Sequence, residues 1–246
     1  MRKKQRGNGE NMLKLIKLEW KKNNIGKYVI KVIILAALIT LFVYAMAYLG
    51  IANDPDTGVP DTAPGNEMIS ASIEMFTGMS FLILGGVMLS SFIISAYKNG
   101  TMGLMFSYPI RRQKILVSQM LAVWFFDFAA LVLTKLLVYG CILAGSHFMT
   151  SSFPIDFDMA DPGFYIVLLI RSAVTVSMAF IALYIGLAMK SSKAAIVTSF
   201  VLVFLTQGNI SHFTLRHNAV FMSVLTFLSV AFAFLAVYKV EIRDFM

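Results

Sequence analysis

Three observations predict an all-α, polytopic integral membrane protein with six transmembrane helices and an N-terminal amphipathic helix at the interface. Of 246 residues, 58% are hydrophobic and 14% charged, and the mean hydropathy is +0.76. Soluble domains run nearer one half apolar and one quarter charged. The apolar residues gather into six stretches near the length that a bilayer demands. The basic residues fall almost wholly on one side of those stretches. Together the stretches leave no room for a soluble catalytic domain of about 100 residues.

Residues 1–31 form a basic cytoplasmic or interfacial segment. Within it, Leu13, Ile16 and Trp20 recur at three- to four-residue spacing, with lysines filling much of the rest. That pattern predicts a basic amphipathic helix in the cytoplasmic interface, Trp20 at headgroup depth and a bend near Gly26. It would anchor the chain to anionic membrane lipid or dock a cytoplasmic partner. No cleavable signal is expected, since the first apolar stretch is long enough to span and lacks a small-residue cleavage pattern. Residues 32–238 hold the spans, roughly 32–52, 68–95, 116–147, 163–189, 194–210 and 219–238, and 239–246 form a short tail. The third is longer than a bilayer needs and the fifth is short. The whole chain reads as one transmembrane domain.

Orientation follows from the 21 Lys and Arg. Eighteen lie in the N-terminal segment, the loop after span two, the loop after span four and the tail, whereas the opposite loops hold only Arg216. Both termini are therefore expected in the cytoplasm of a multi-pass protein. The net charge of +8 is explained by this asymmetry, and no nucleic-acid partner is expected. The outer loops carry Asp54, Asp56, Asp61, Glu67, Asp156, Asp158 and Asp161, read as solvated loop rather than a calcium site. Cys141 lies alone in an apolar run, and His147, His212 and His217 stand near outer span ends without a metal-binding spacing. No metal site is expected.

Four charged residues fall inside spans: Glu74 in the second, Asp127 and Lys135 in the third, Arg171 in the fourth. A charge at bilayer depth costs about 2.5–3.5 kcal/mol on insertion scales, so such groups face protein or water. Asp127 is placed near mid-depth, Glu74 and Lys135 in the outer third, and Arg171 between. Neutral pairing is possible, with Glu74–Arg171 as one arrangement; Lys135 could also snorkel outward. Asp127 and Lys135, eight residues apart on one helix, are too distant to pair directly. The four are candidates for the wall of a translocation cavity, against structural ion pairs between helices. Gly85, Gly86, Ser90 and Ser91 on span two and Gly186 on span four permit close helix approach.

The most informative loop joins spans two and three. Thr101 can cap a short helix carrying Leu104, Met105 and Phe106, and Pro109 ends it by pushing Tyr108 out of helical geometry. Arg111, Arg112 and Lys114 follow. The run Gly100-Thr101, Leu104-Met105-Phe106, Tyr108-Pro109-Ile110-Arg111-Arg112 and Lys114-Ile115-Leu116 resembles the cytoplasmic loop of ABC-type-2 exporter permeases. The resemblance extends over the chain in its length, span number and interfacial N-terminal helix. It is closest to Gram-positive permeases for peptide toxins and bacteriocins, the phenol-soluble-modulin exporter permeases among them. Two departures stand out: Lys98 and Asn99 occupy positions where many members have a Glu, and Gln119 stands where many have a Lys.

The resemblance implies a bacterial cytoplasmic-membrane exporter that moves amphipathic or hydrophobic peptides outward by alternating access. Residues 97–114 would be the coupling loop, with Gly100, Thr101, Leu104, Met105, Phe106, Tyr108, Pro109, Arg111 and Arg112 against a separate ATPase. The chain lacks a GxxxxGK[ST] loop, so it is expected to be no enzyme and to bind no cofactor itself. ATP and magnesium would be held by the partner. Six spans imply a homodimer with two ATPase subunits. Rival readings are an ion-coupled secondary transporter using Asp127 or Glu74, an intramembrane enzyme, and a non-transporting immunity or sensor permease.

Overall fold

The computed structural model describes residues 2–48, 68–95, 112–148, 157–207, 209–210, 213–214 and 219–242. They form α1 (Arg2–Lys22), α2 (Gly26–Tyr48), α3 (Met68–Leu89, continued by a π-helical turn over Ser90–Ile94), α4 (Arg112–Phe148), α5 (Pro162–Ala188), α6 (Ser192–Gln207) and α7 (Ala219–Ile242). Apart from turns, the only other structure among them is a two-residue antiparallel pairing of Asn209–Ile210 with Phe213–Thr214. Four stretches are long and apolar enough to cross a bilayer: Gly26–Met46, Ile69–Ile94, Gln113–Gly145 and Pro162–Ala188. Shorter apolar helices cover Ser192–Thr206 and Met222–Tyr238. The protein is all-α and membrane-embedded.

The helix ends follow from local chemistry. Asp161 caps α5, its Oδ1 accepting from the Gly163 amide at 3.0 Å, with Pro162 in the first helical turn. α1 and α5 both stop in a Schellman motif built on a non-glycine residue. At the first, Asn24 has φ 49°, and the Ile25 and Asn24 amides donate to the carbonyls of Trp20 and Lys21. At the second, Lys190 has φ 49°, and the Ser191 and Lys190 amides donate to Gly186 and Leu187. The bend expected near Gly26 is therefore present, with Asn24 as its left-handed residue and Gly26 opening α2.

Lipid tails are as apolar as leucine, so contact area between helices depends on shape more than on exclusion from water. α3 has the best shape for it. Of its apolar stretch, 67% is buried inside the protein, against 22% for α2. Its glycines supply the notches. A Cβ on Gly86 would strike the Ser199 hydroxyl of α6; one on Gly85 would come within 2.7 Å of the Asp127 carboxylate of α4. Gly186 of α5 makes equal room for Ile94 and Ala195. Ser90 is buried and donates to the Ser192 carbonyl at 3.2 Å, tying α3 to the start of α6, whereas Ser91 is exposed.

The π turn at Ser90–Ile94 seats Phe92, Ile93 and Ile94 in the main apolar cluster with Leu116, Leu183, Leu187 and Ala195. A π turn adds one residue to the helical circuit, so it resets the face that α3 presents just before the chain enters the 97–114 segment. At the other end, Tyr139 of α4 meets Phe157 and Phe164 edge-on at 4.8 and 5.0 Å, which holds the lead-in to α5 against α4.

Candidate functional site

α4 is 37 residues long, about 55 Å at 1.5 Å per residue, against a hydrocarbon core of about 30 Å. Near its Arg112 end it carries α1. The Trp20 indole donates to the Ala122 carbonyl at 2.9 Å, Ile16 is buried beside it, and the Gln119 amide donates to Glu19 Oε1 at 3.3 Å. Glu19 also accepts from Asn23 at 3.3 Å and meets Lys22 at 3.8 Å. The sequence pattern put Trp20 at the headgroups with Leu13 and Ile16 beside it. In the fold, Ile16 and Trp20 turn toward α4, while Leu13 is 69% exposed.

Further along α4 lie the charged groups of the membrane interior. Lys135 is fully buried and its Nζ meets Glu74 Oε2 of α3 at 2.7 Å. Neither sequence-based arrangement is realised here: Lys135 does not snorkel, and Glu74 pairs with it rather than with Arg171. The cause is the antiparallel packing of α3 on α4, which brings position 74 level with 135 and position 85 level with 127.

Asp127 occupies that second level. It is fully buried, and among the described residues neither carboxylate oxygen has a hydrogen-bond partner. Gly85 leaves the space that the carboxylate fills, and Ala179 of α5 lines the same notch. One turn earlier, Trp124 donates to Ser177 Oγ of α5 at 3.1 Å and stacks on Phe128 at 5.2 Å. The uncompensated carboxylate is thus fixed among three helices.

Arg171 is different again. It is exposed on α5 and makes no ion pair among the described residues. Nine residue steps of helix separate it from Pro162, about 14 Å along the axis, so an exposed arginine stands well within the apolar stretch Pro162–Ala188. Glu74, Asp127 and Lys135 therefore share the α3–α4 seam, and Arg171 stands apart.

The coupling-loop residues Gly100, Thr101, Leu104, Met105, Phe106, Tyr108, Pro109 and Arg111 lie outside the described residues; Arg112 opens α4. Of the acids expected in outer loops, Asp158 accepts from the Ala160 amide at 2.8 Å and Asp161 is the cap described above. Among the described residues no three His, Cys, Asp or Glu side chains gather as metal ligands. Sequence reasoning missed the Glu19–Gln119 contact. Glu19, an acid in a run of lysines, was the available signal.

No protein-family model matches the chain, and no solved structure matches it. Over 235 residues it is 23% identical to YcbO, an uncharacterized protein of Bacillus subtilis (strain 168), the match covering 94% of this chain and 100% of that one.

Proposed function

We propose that this protein is the transmembrane permease subunit of an ATP-driven exporter, acting as a homodimer with two copies of a separate ATPase and moving amphipathic or hydrophobic peptides outward. All six apolar helices, α2 to α7, span the bacterial cytoplasmic membrane in this reading, with both termini inside. The two shorter ones are completed by polar ends at the interface. α1 lies along the cytoplasmic surface.

The observation that carries the reading is Arg171. A guanidinium exposed at bilayer depth costs several kcal/mol against lipid and little against water or protein. Exposed in one chain, it calls for a second chain or an aqueous path beside α5, and a path between two copies supplies both. The loop at 97–114 joins α3 and α4, two helices clamped by the Glu74–Lys135 pair. A push on that loop from an ATPase then moves the seam as one body. The cycle is alternating access, with ATP and magnesium held by the partner.

The test is purification from the native membrane in mild detergent, with identification of co-purifying chains. A stoichiometric P-loop ATPase is expected, and Phe106→Asp should release it while the permease still inserts. Retention of the ATPase by that variant overturns the role assigned to the loop. With no ATPase at all, a secondary transporter using the buried acids becomes the better account.

A further inference from the structure

The surface of α2 that faces the bilayer is not flat. Between α2 and α4 lies an apolar groove of about 690 Å³. Small residues line both walls, the buried Ala36 and the exposed Ala37 on α2, the buried Ala130 and the exposed Ala129 on α4, beside larger ones such as Leu41 and Leu133. From Val29 to Tyr44 the α2 wall runs 15 residue steps, about 22 Å, more than the roughly 15 Å of one leaflet's hydrocarbon. Leu41 is 68% and Leu133 67% exposed, so the groove opens sideways into lipid.

Its cytoplasmic end is marked by charge. Phe126 lines the groove, and one turn before it the Ala122 carbonyl holds the Trp20 indole of α1. Lys17 and Lys21 stand within a turn of Trp20 and are exposed, as is Lys14 one turn earlier. The face of α1 bearing Ile16, Glu19 and Trp20 is occupied by α4, which leaves the lysine face free at the level where the chain enters the membrane.

We infer that this groove and the α1 lysines form one binding site for an anionic phospholipid of the inner leaflet. An acyl chain lies along α2 and α4, and the phosphate meets Lys17 and Lys21. The lining decides between a lipid and an amphipathic peptide. It carries no charged side chain, and its Thr40 hydroxyl is already donated to the Ala36 carbonyl at 2.8 Å. A peptide's polar face would find almost nothing to bond to there, whereas an acyl chain needs nothing. Charge selects the headgroup: each lysine near an anionic surface favours it by about fivefold in binding. The inference rests on membrane embedding and on the cytoplasmic placement of α1 proposed above, and holds whether or not the protein is a transporter.

The test uses the full chain in nanodiscs or micelles with phosphatidylglycerol or phosphatidylcholine as the only phospholipid, read by native mass spectrometry and thermal stability. Wild type should retain phosphatidylglycerol over phosphatidylcholine, and Lys17→Gln with Lys21→Gln should lower that preference about 25-fold. Ala37→Phe with Ala129→Phe should fill the groove and lower retention of both lipids. The lysine variants lie on an exposed helix face, so they report even where the groove variant fails to fold. Equal retention of the two lipids by wild type overturns the proposal, as does an unchanged preference in the lysine variant. Displacement of bound phospholipid from wild type by an amphipathic helical peptide would overturn it in favour of a peptide site.

Discussion

Two buried charged groups of α4, Lys135 and Asp127, stand eight residues apart against the same helix α3. Lys135 has its counter-ion in place, Glu74 at 2.7 Å; Asp127 faces Gly85 and Ala179 and has no hydrogen-bond partner among the described residues. The Glu74–Lys135 level of the seam is electrically closed, and the Asp127 level is left open. Removing one partner of a buried pair strands the other, whereas removing an unpartnered group relieves a cost. The two levels should therefore respond to mutation with opposite signs.

The largest effect is expected at the closed level. Lys135→Ala should lower stability by about 3 kcal/mol, because Glu74, 11% exposed, then loses its cation. Unfolding of the purified protein in detergent micelles measures it, and replacing both partners with Leu or Met should recover most of the loss. A smaller loss, about 2–3 kcal/mol, is expected from Gly86→Ala, where the new methyl must displace Ser199 from a packed contact. That variant asks whether the notches or the charges set the α3 position.

At the open level the sign reverses. Asp127→Leu keeps the side chain's shape and should raise stability by about 1–2 kcal/mol, since an unsatisfied buried polar group is removed. Loss of stability there would mean that the carboxyl is engaged by a second copy or by water, and would erase the contrast with Lys135. The smallest change is expected toward the Arg112 end of α4, where Trp20→Phe loses one indole hydrogen bond to Ala122, about 1 kcal/mol. Faster protease cleavage in the α1–α2 turn would report the loosened helix.

α4 meets a third acid, Glu19, with an intermediate solution. It is buried, and it receives amides from Gln119 and Asn23 and a distant ammonium from Lys22. The three acids were all visible as anomalies in the sequence, two inside apolar runs and one in a lysine-rich helix. Their partners were not. Either of two cations, Lys135 or Arg171, satisfies the charge count of the membrane interior, and the observed Glu74–Lys135 pair follows only from the register of α3 on α4. The exposed Arg171 was likewise legible as an intramembrane charge, but its separation from the other three is a property of the helix arrangement.

The glycines illustrate the same division. Gly85-Gly86 and Gly186 could be read as sites of close approach because a missing Cβ has one use in a membrane helix. Which helix enters each notch could not be read, since the pattern along one helix names no neighbour. The bend near Gly26 was legible, but that Asn24 supplies its left-handed residue was not, because glycine is the stronger turn former and asparagine also takes that conformation.

By itself, then, the sequence determined that the protein is helical and membrane-embedded. Bilayer thickness and the need to satisfy every backbone amide leave an apolar run of about 20 residues one stable form. It also determined which residues would be costly there. Tertiary structure alone decided how those costs are met: Lys135 closed by Glu74, Asp127 lodged in a glycine notch, Trp20 bonded to α4. The physical reason is range. Hydropathy and backbone bonding act within one helix, whereas an ion pair or a notch needs two helices at one depth and one rotation, which packing along their whole length sets.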